Sequence, residues 1–523
     1  MEKGEWVVVI GGGSTGTGIA RDLAMRGVPT TLIEMEDLAS GTTGRCHGLL
    51  HSGGRYVVAD PATARECIEE NRILRRIAPH CIEDTGGLFV AVTDEDLEYL
   101  PRFLSACRKT GLPAEEISVR EALAIEPHLS PRIQAAVRVP DASVDPFRLA
   151  VANAAGAREY GAEILRHTKV VGLVKEGDAV AGVRVAEEGD GRERVIRSRF
   201  VVNAAGAWSG KIAGMAGISL ELVLSKGTLL IFNHRIVNTV INHCHPAGDG
   251  DIIVPAGTVS ILGTTSVTVP EPDHDRYGIE DEEIPYLLEK GSAMAPFVRS
   301  ARVIRAFAGV RPLFEGDEEG QGHYGHGEHR EHDDRAVSRN YVIIDHETVH
   351  GIKNFLTVTG GKLTTYRRMA EAAADVACAR LGVAAACRTA GEGLPGVAST
   401  EKPRNTFTIC ECEFVPRAEI QDRLEKLNAA DSPQPPQALL ADLRRRTRIG
   451  MGTCQGAYCG YRTAGVAHET ASFSAREANW MLAKFLQERW KGTRPVLWGD
   501  QAREAALVAH IYRGIFNIDE KVQ

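Results

Sequence analysis

WVVVIGGGSTGTGIARD, residues 6–22, joins an apolar β-branched run to Gly11, Gly13 and Gly16 at GxGxxG spacing. An Ala/Leu-rich helical pattern carries on to Gly27, and a second apolar strand, PTTLIE, ends in Glu34. Glycines let such a turn close and let the backbone approach a pyrophosphate, which rests on the helix N-terminus. An acid about twenty residues on accepts hydrogen bonds from a ribose diol. Strand, turn, helix and acid in register predict a Rossmann-like βαβ dinucleotide site. They do not by themselves separate NAD from FAD.

Two later segments favour FAD. RFVVNAAGAWS (199–209) is an apolar strand ending in small residues, suited to passing close to a cofactor. FLTVTGGKLTTYRRMA (355–370) is another strand, a Gly-Gly turn and a new helix. That helix N-terminus could face the flavin N1/C2 carbonyl and stabilise the charge that arrives on reduction. A site built from three distant segments suits a flavoprotein better than a contiguous NAD domain.

At 523 residues, two to four domains are expected. An apolar fraction of 43% and a net charge of −8 describe a globular chain without a nucleic-acid footprint. The Ala-rich stretch 370–387 is interrupted by Glu371, Asp375 and Arg380, so it reads as a packed helix and not a membrane span. The nucleotide motif begins by residue 6, which leaves no room for a signal peptide and points to the cytoplasm. In that compartment the 11 cysteines are expected as thiols, and clustered ones as ligands.

Four of them cluster. CEC (410–412) and RIGMGTCQGAYCG (448–460) supply Cys410, Cys412, Cys454 and Cys459. Tetrathiolate sets take zinc or an iron–sulfur cluster. Structural zinc usually uses CxxC knuckles, whereas CxC with CxxxxC resembles the small helical [2Fe–2S] domain of the bacterioferritin-associated ferredoxin type. Gly450, Gly452, Gly456 and Gly460 would let backbone amides approach the sulfurs. An upstream flavin that must discharge two electrons favours the cluster; a structural zinc scaffold for partner recruitment is the alternative. The basic run Arg444–Arg446 with Arg448 is ordinarily a solvated helix face, but it could also offset cluster charge or dock on the flavin lobe.

The assembled motifs resemble a known family. IGGGSTGTGIARDLAMRG (10–27) and GGKLTTYRRMA (360–370) are similar to the two signatures of FAD-dependent glycerol-3-phosphate dehydrogenases. Between them LLHSGGRY (49–56), DASVDPFRLAVANA (141–154), ILGTTS (261–266), GVRPL (309–313) and SRNYVIIDH (338–346) resemble further family segments in the same order. The cysteine tail resembles that of the large, FAD-carrying subunit of the anaerobic three-subunit enzymes. The resemblance implies oxidation of sn-glycerol 3-phosphate to dihydroxyacetone phosphate. Electrons would leave through the cluster to a second flavoprotein subunit, an iron–sulfur membrane-anchoring subunit and a quinone. It implies a cytoplasmic chain, peripheral on the inner membrane through those partners. A related flavin dehydrogenase or oxidase of another 2-hydroxy or amino acid is the competing enzyme reading.

The same resemblance implies the site. FAD would be held by Gly11, Gly13, Gly16, Glu34, Thr42, Thr43, Ala205, Gly206, Gly360, Gly361, Lys362, Leu363 and Thr364. A phosphate dianion needs converging cations, and Arg55, Arg311, Arg339 and Lys362, with Tyr56 as a neutral partner, are the candidates. Arg311, Lys362 and His51 are the catalytic candidates. Aerobic relatives carry a histidine in a KGSH-like segment; here the run is SKGTLL and the slot is Leu229, so the base is not carried over. His51 is the first alternative, a core or flavin-packing histidine its plainer reading.

The fold implied is α/β, or α+β overall: a Rossmann-like FAD lobe, a discontinuous antiparallel-sheet substrate lobe of the D-amino-acid-oxidase type and a small helical iron–sulfur domain. The FAD lobe is expected from residues 1–80, 141–220 and 336–390, and the substrate lobe from 81–140 and 221–335. A linker (391–409), a cluster domain (410–465) and a helical tail (466–523) follow. The insert GDEEGQGHYGHGEHREHDD (316–334) spaces His323, His326, His329 and His332 three apart, as an exposed loop, a divalent-metal site or a lid. Ser474 and Glu477 read as a capping box opening a helix whose Met481, Leu482, Phe485 and Leu486 share one face. That face suits a core or, with Trp480, Trp490 and Trp498 nearby, a partner surface.

Overall fold

The computed structural model describes residues 7–188, 191–270, 277–314, 340–396, 407–428, 435–471, 473–516 and 518. Arg339, the histidine-rich insert 316–334 and the centre of the linker lie outside the described residues.

The β-branched run Val7–Ile10 is the centre of a six-stranded sheet, flanked by Thr30–Ile33 and Phe200–Asn203, both parallel to it. Glu163–Leu165 extends one side in parallel; Phe355–Gly360 (parallel) and Tyr341–Asp345 (antiparallel) extend the other. Strands buried on both faces need continuous apolar sequence. Here helix Ser14–Met25 packs on one face with helices Pro146–Glu159 and Tyr366–Leu381. A three-stranded antiparallel sheet, Thr168–Glu176, Ala179–Glu187 and Glu193–Arg197, closes the other through Val170, Val183 and Ile196. All strands that carry cofactor candidates thus end at one edge, where open α/β sheets bind ligands.

The second large sheet has nine strands. Its backbone is the long pair Leu222–Phe232 and Val303–Phe314, antiparallel and in register from Leu222 opposite Phe314. One pair, Val240–His243 with Gly87–Ala91, is parallel; the other pairings are antiparallel.

The cysteine-rich tail has its own core, in which Leu424, Leu443, Ile449, Met481, Leu482 and Phe485 are buried. Ser474 and Glu477 form the capping box, and the apolar face of helix Ala475–Thr493 faces this core. Trp490 and Trp498 remain about half exposed.

Ion pairs, few of them solvent-facing, fasten tail to body. Asp37, fully buried just past the second strand, accepts from Arg446 at 2.5 and 2.8 Å. Burial pushes the Asp37 carboxyl up, but Arg446, Arg445 and Arg166 outweigh it and hold the group well below the usual range. Arg166 also reaches Asp442 at 3.0 Å, and Arg448 bridges Asp145 (3.1 Å) and Glu413 (2.8 Å). Of the readings open for the basic run, docking on the flavin lobe is realised by Arg446 and Arg448.

His167 belongs to the same clamp, 2.9 Å from both Asp442 and Glu188. Burial lowers its pKa, yet the two carboxylates raise it further, to about 9. A histidine raised in the folded state stabilises fully below its unfolded pKa and loses that contribution as pH climbs through the folded value. The clamp is therefore strongest below about pH 6.5 and weakens toward pH 9, by on the order of 3 kcal/mol. His167→Gln is expected to lower the first thermal transition at pH 6 and leave it unchanged at pH 10; calorimetry at the two pH values checks this.

Candidate active site

The glycine turn is shaped for a cofactor. Gly11 has φ +108°, and a Cβ there would lie 2.5 Å from the Ala204 carbonyl oxygen; one on Gly16 would lie 1.8 Å from the Gly11 oxygen. Gly13 caps helix Ser14–Met25 with no side-chain hydrogen bond. Thr43 Oγ1 accepts from the Ser14 amide at 3.0 Å, and Thr42 donates to the Val310 carbonyl at 2.7 Å. Glu34 accepts from the Gly12 and Glu36 amides at 2.6 and 3.0 Å, with burial pushing its carboxyl up to about 7. Ala205 and Gly206 follow strand Phe200–Asn203 opposite this turn. Gly360, Gly361, Lys362, Leu363 and Thr364 form the second turn, and Thr364 Oγ1 accepts from the His51 amide. The three segments expected around a dinucleotide are thus brought together, with room that only glycine leaves. The residues fit FAD.

Gly16→Ala drives a methyl group into the Gly11 carbonyl. Overpacking of this kind costs about 1–3 kcal/mol or more, so the variant is expected to purify with less than about one-tenth of its flavin. The visible flavin band per mole of protein reads it.

Next to the second turn, where Thr364 holds the His51 amide, lies a cavity of about 60 Å³ lined by His47, His51, Arg55, Tyr56, Asp251 and Arg311, among others. Arg311 donates to Ser225 Oγ at 3.0 Å and to Thr264 Oγ1, which fixes the guanidinium on the strand pair. Lys362 Nζ stands 4.9 Å from the centre of the Tyr56 ring, a cation–π arrangement. The His51 ring is 5.6 Å from that of Tyr56 and 6.2 Å from that of His47. Arg55, Tyr56, Arg311, Lys362 and His51 are therefore neighbours, although more than 300 residues separate the extremes. Leu229 is buried in its strand beside Gly263 and offers no base.

Two residues were missed by the sequence reading. Asp251, itself held by the Gly248 amide at 2.7 Å, pairs with Arg55 at 2.9 Å, both side chains buried. Burial works against the Arg55 charge, but Asp251 more than compensates and its pKa is raised. His47 accepts from the Leu49 amide at Nδ1, which leaves its proton on Nε2. HxxxH and a lone acid in a glycine-rich turn carry no signal distinctive enough to single them out.

In the tail, all four cysteines are free thiols drawn into one hydrogen-bonded chain: Cys412 to Cys454, Cys454 to Cys459, Cys459 to Cys410. Amides of Gly456 and Tyr458 point at Cys454, and those of Glu413 and Gly450 at Cys410. Donation from their neighbours lowers Cys454 and Cys410, while Cys412 and Cys459 are raised. Among the described residues no group of three or more His, Cys, Asp or Glu side chains is arranged to hold a metal ion.

This fold and its glycine cradle define a flavin-dependent oxidoreductase. The family model for FAD dependent oxidoreductases matches residues 7–367. The chain is 42% identical to the anaerobic glycerol-3-phosphate dehydrogenase subunit lettered A in Escherichia coli K12, over 98% of this chain and 97% of the relative. It is 43% identical to the one lettered A1 in Haloferax volcanii, over 99% and 92%. The chain belongs to the family of these anaerobic glycerol-3-phosphate dehydrogenase subunits. Among solved structures, the glycerol-3-phosphate dehydrogenase of Bacillus halodurans complexed with FAD shares the fold, with TM-score 0.59 and 23% identity over 99% of this chain and 92% of that one.

Proposed function

We propose that the chain oxidises sn-glycerol 3-phosphate to dihydroxyacetone phosphate. The observation that carries this reading is one small cavity that gathers His51, Arg55, Tyr56 and Arg311, with the His51 amide held by Thr364 of the second turn. Arg311 and Lys362 bring the positive charge for a phosphate dianion, and Arg339 joins them by resemblance. Arg55 enters already paired with Asp251, so it orients more than it attracts. Bound FAD would supply the acceptor for the hydride that leaves C2. His51 takes the C2 hydroxyl proton, since neutral His47 already carries its own proton on Nε2. In this reading residues 1–80, 141–220 and 336–390 hold the flavin, and residues 81–140 and 221–335 supply Arg311 and Asp251.

Cys410, Cys412, Cys454 and Cys459 would hold a [2Fe–2S] cluster that passes electrons to a second flavoprotein subunit, an iron–sulfur membrane-anchoring subunit and a quinone. The thiol donor set and the amides aimed at it support this. Among the described residues no helix is long and apolar enough to cross a membrane, and attachment would come through the partners. Anaerobic titration tests the core of the proposal: glycerol 3-phosphate should bleach the flavin, and lactate and glycine should not. Absence of bleaching by glycerol 3-phosphate would sink it.

A further inference from the structure

Between body and tail lies a far larger cavity, of about 1170 Å³. Gly11, Gly13, Gly16, Gly206, Gly360 and Gly361 are not among its walls, although Ser40 and Gly44, on either side of Thr42 and Thr43, are. His47 lines both this cavity and the smaller one.

Seven arginines are on its wall, among them one from each of three elements: Arg305 on strand Val303–Phe314, Arg444 on helix Leu439–Thr447 and Arg489 on helix Ala475–Thr493. Arg305 donates to the Arg489 and Glu488 carbonyls at 3.2 and 3.4 Å. Arg489 donates to the Gln455 carbonyl at 3.1 Å and to the Gln455 side chain. Arg444 stands 5.8 Å from the centre of the Phe147 ring, its Nε buried without a hydrogen-bond partner. Among the described residues none of the three has a carboxylate within 4.0 Å. Acids nearby are engaged elsewhere: Asp37 with Arg446, Asp442 with Arg166 and His167, Asp145 and Glu413 with Arg448. Glu488, paired with Lys491, is the wall carboxylate whose charge favours Arg305 and Arg444. Burial holds all three guanidiniums down, Arg305 to about 10, and neighbouring arginines add to it: Arg45 at Arg305, Arg305, Arg445 and Arg448 at Arg444, Arg305 and Arg444 at Arg489.

Buried like charges on one cavity wall with no carboxylate within 4.0 Å are costly unless an anion joins them. We propose that Arg305, Arg444 and Arg489 form a binding site for a phosphorylated ligand of nucleotide size, distinct from the substrate site. A dianion matches converging guanidiniums. The volume far exceeds one phosphate group, and Phe147, Phe307 and Phe485 are among the lining residues, apolar surface of the kind a base is bound against. The proposal does not depend on which substrate the smaller cavity takes.

The test uses FAD-loaded full-length protein carrying Arg311→Ala, which silences the substrate site. Calorimetric titration with adenosine monophosphate is expected to show one equivalent bound, with adenosine at least about 30-fold weaker. Arg444→Gln and Arg489→Gln should each weaken binding by about tenfold or more. Gly492→Ala provides a variant that removes no charge, because its methyl would sit 2.6 Å from Arg305 Cζ and displace that side chain; it should weaken binding likewise. Saturating inorganic pyrophosphate should raise the melting temperature of the Arg311→Ala protein and not that of its Arg444→Gln derivative. No binding of either probe, affinities unchanged in the arginine variants, or release of FAD during the titration would each overturn the proposal.

Discussion

Arg311→Ala is expected to reduce kcat/KM for glycerol 3-phosphate by about 10²–10³-fold, chiefly through KM, with FAD still bound. The size follows from losing charge-assisted hydrogen bonds worth about 1.5–3 kcal/mol each to a phosphate dianion. The split follows from position. The guanidinium is held by Ser225 and Thr264 on the large sheet, and its described contacts do not reach the glycine turn that cradles the dinucleotide. Binding of the remote phosphate is therefore lost before the flavin site is disturbed. Steady-state kinetics with a flavin count per chain decide the matter. Loss of FAD from the variant would assign Arg311 a structural duty instead.

Cys454→Ser is expected to separate the two halves of the reaction. Cys454 is the middle of the thiol chain, touching both Cys412 and Cys459 and receiving the Gly456 and Tyr458 amides. On the proposed electron route, removing this thiolate should strip the proposed cluster's iron and lower electron delivery to the proposed partner subunits by about 100-fold or more. Substrate bleaching of the flavin should stay within about twofold of the parent, since the cysteine core is independent of the nucleotide sheet. Iron and sulfide analysis, cluster EPR and anaerobic flavin titration read the three quantities. Stoichiometric zinc without iron in the anaerobically purified parent would replace the electron route with a structural scaffold.

What could be read in advance was local. The Val7–Ile10 run, the glycine spacing and Glu34 lie within thirty residues, and each has a physical job that constrains residue type. The four thiols were legible for the same reason, being rare residues at fixed spacing. Pairings across hundreds of residues were not. Nothing in the turn that carries Asp251 announces that it will neutralise Arg55, and Asp37 looks like any loop acid until Arg446 arrives on it. The basic run 444–448 shows the limit most clearly. Neighbours in sequence, Arg444 and Arg446 turn to different surroundings, one facing a cavity beside Arg305 and Arg489, the other closing on a buried carboxylate. A helical period gives direction but not what waits there. The antiparallel character of the second sheet was read from alternation, while its one parallel pair joins strands too far apart for any local pattern to declare.

The clamp at Asp37, Arg166, Asp442 and Arg448 has a bearing on how such chains can vary. Side-chain pairs set the spacing between the nucleotide sheet and the thiols. A single change at Asp37, some 370 residues upstream of the first cysteine of the tail, should therefore be felt at the thiols.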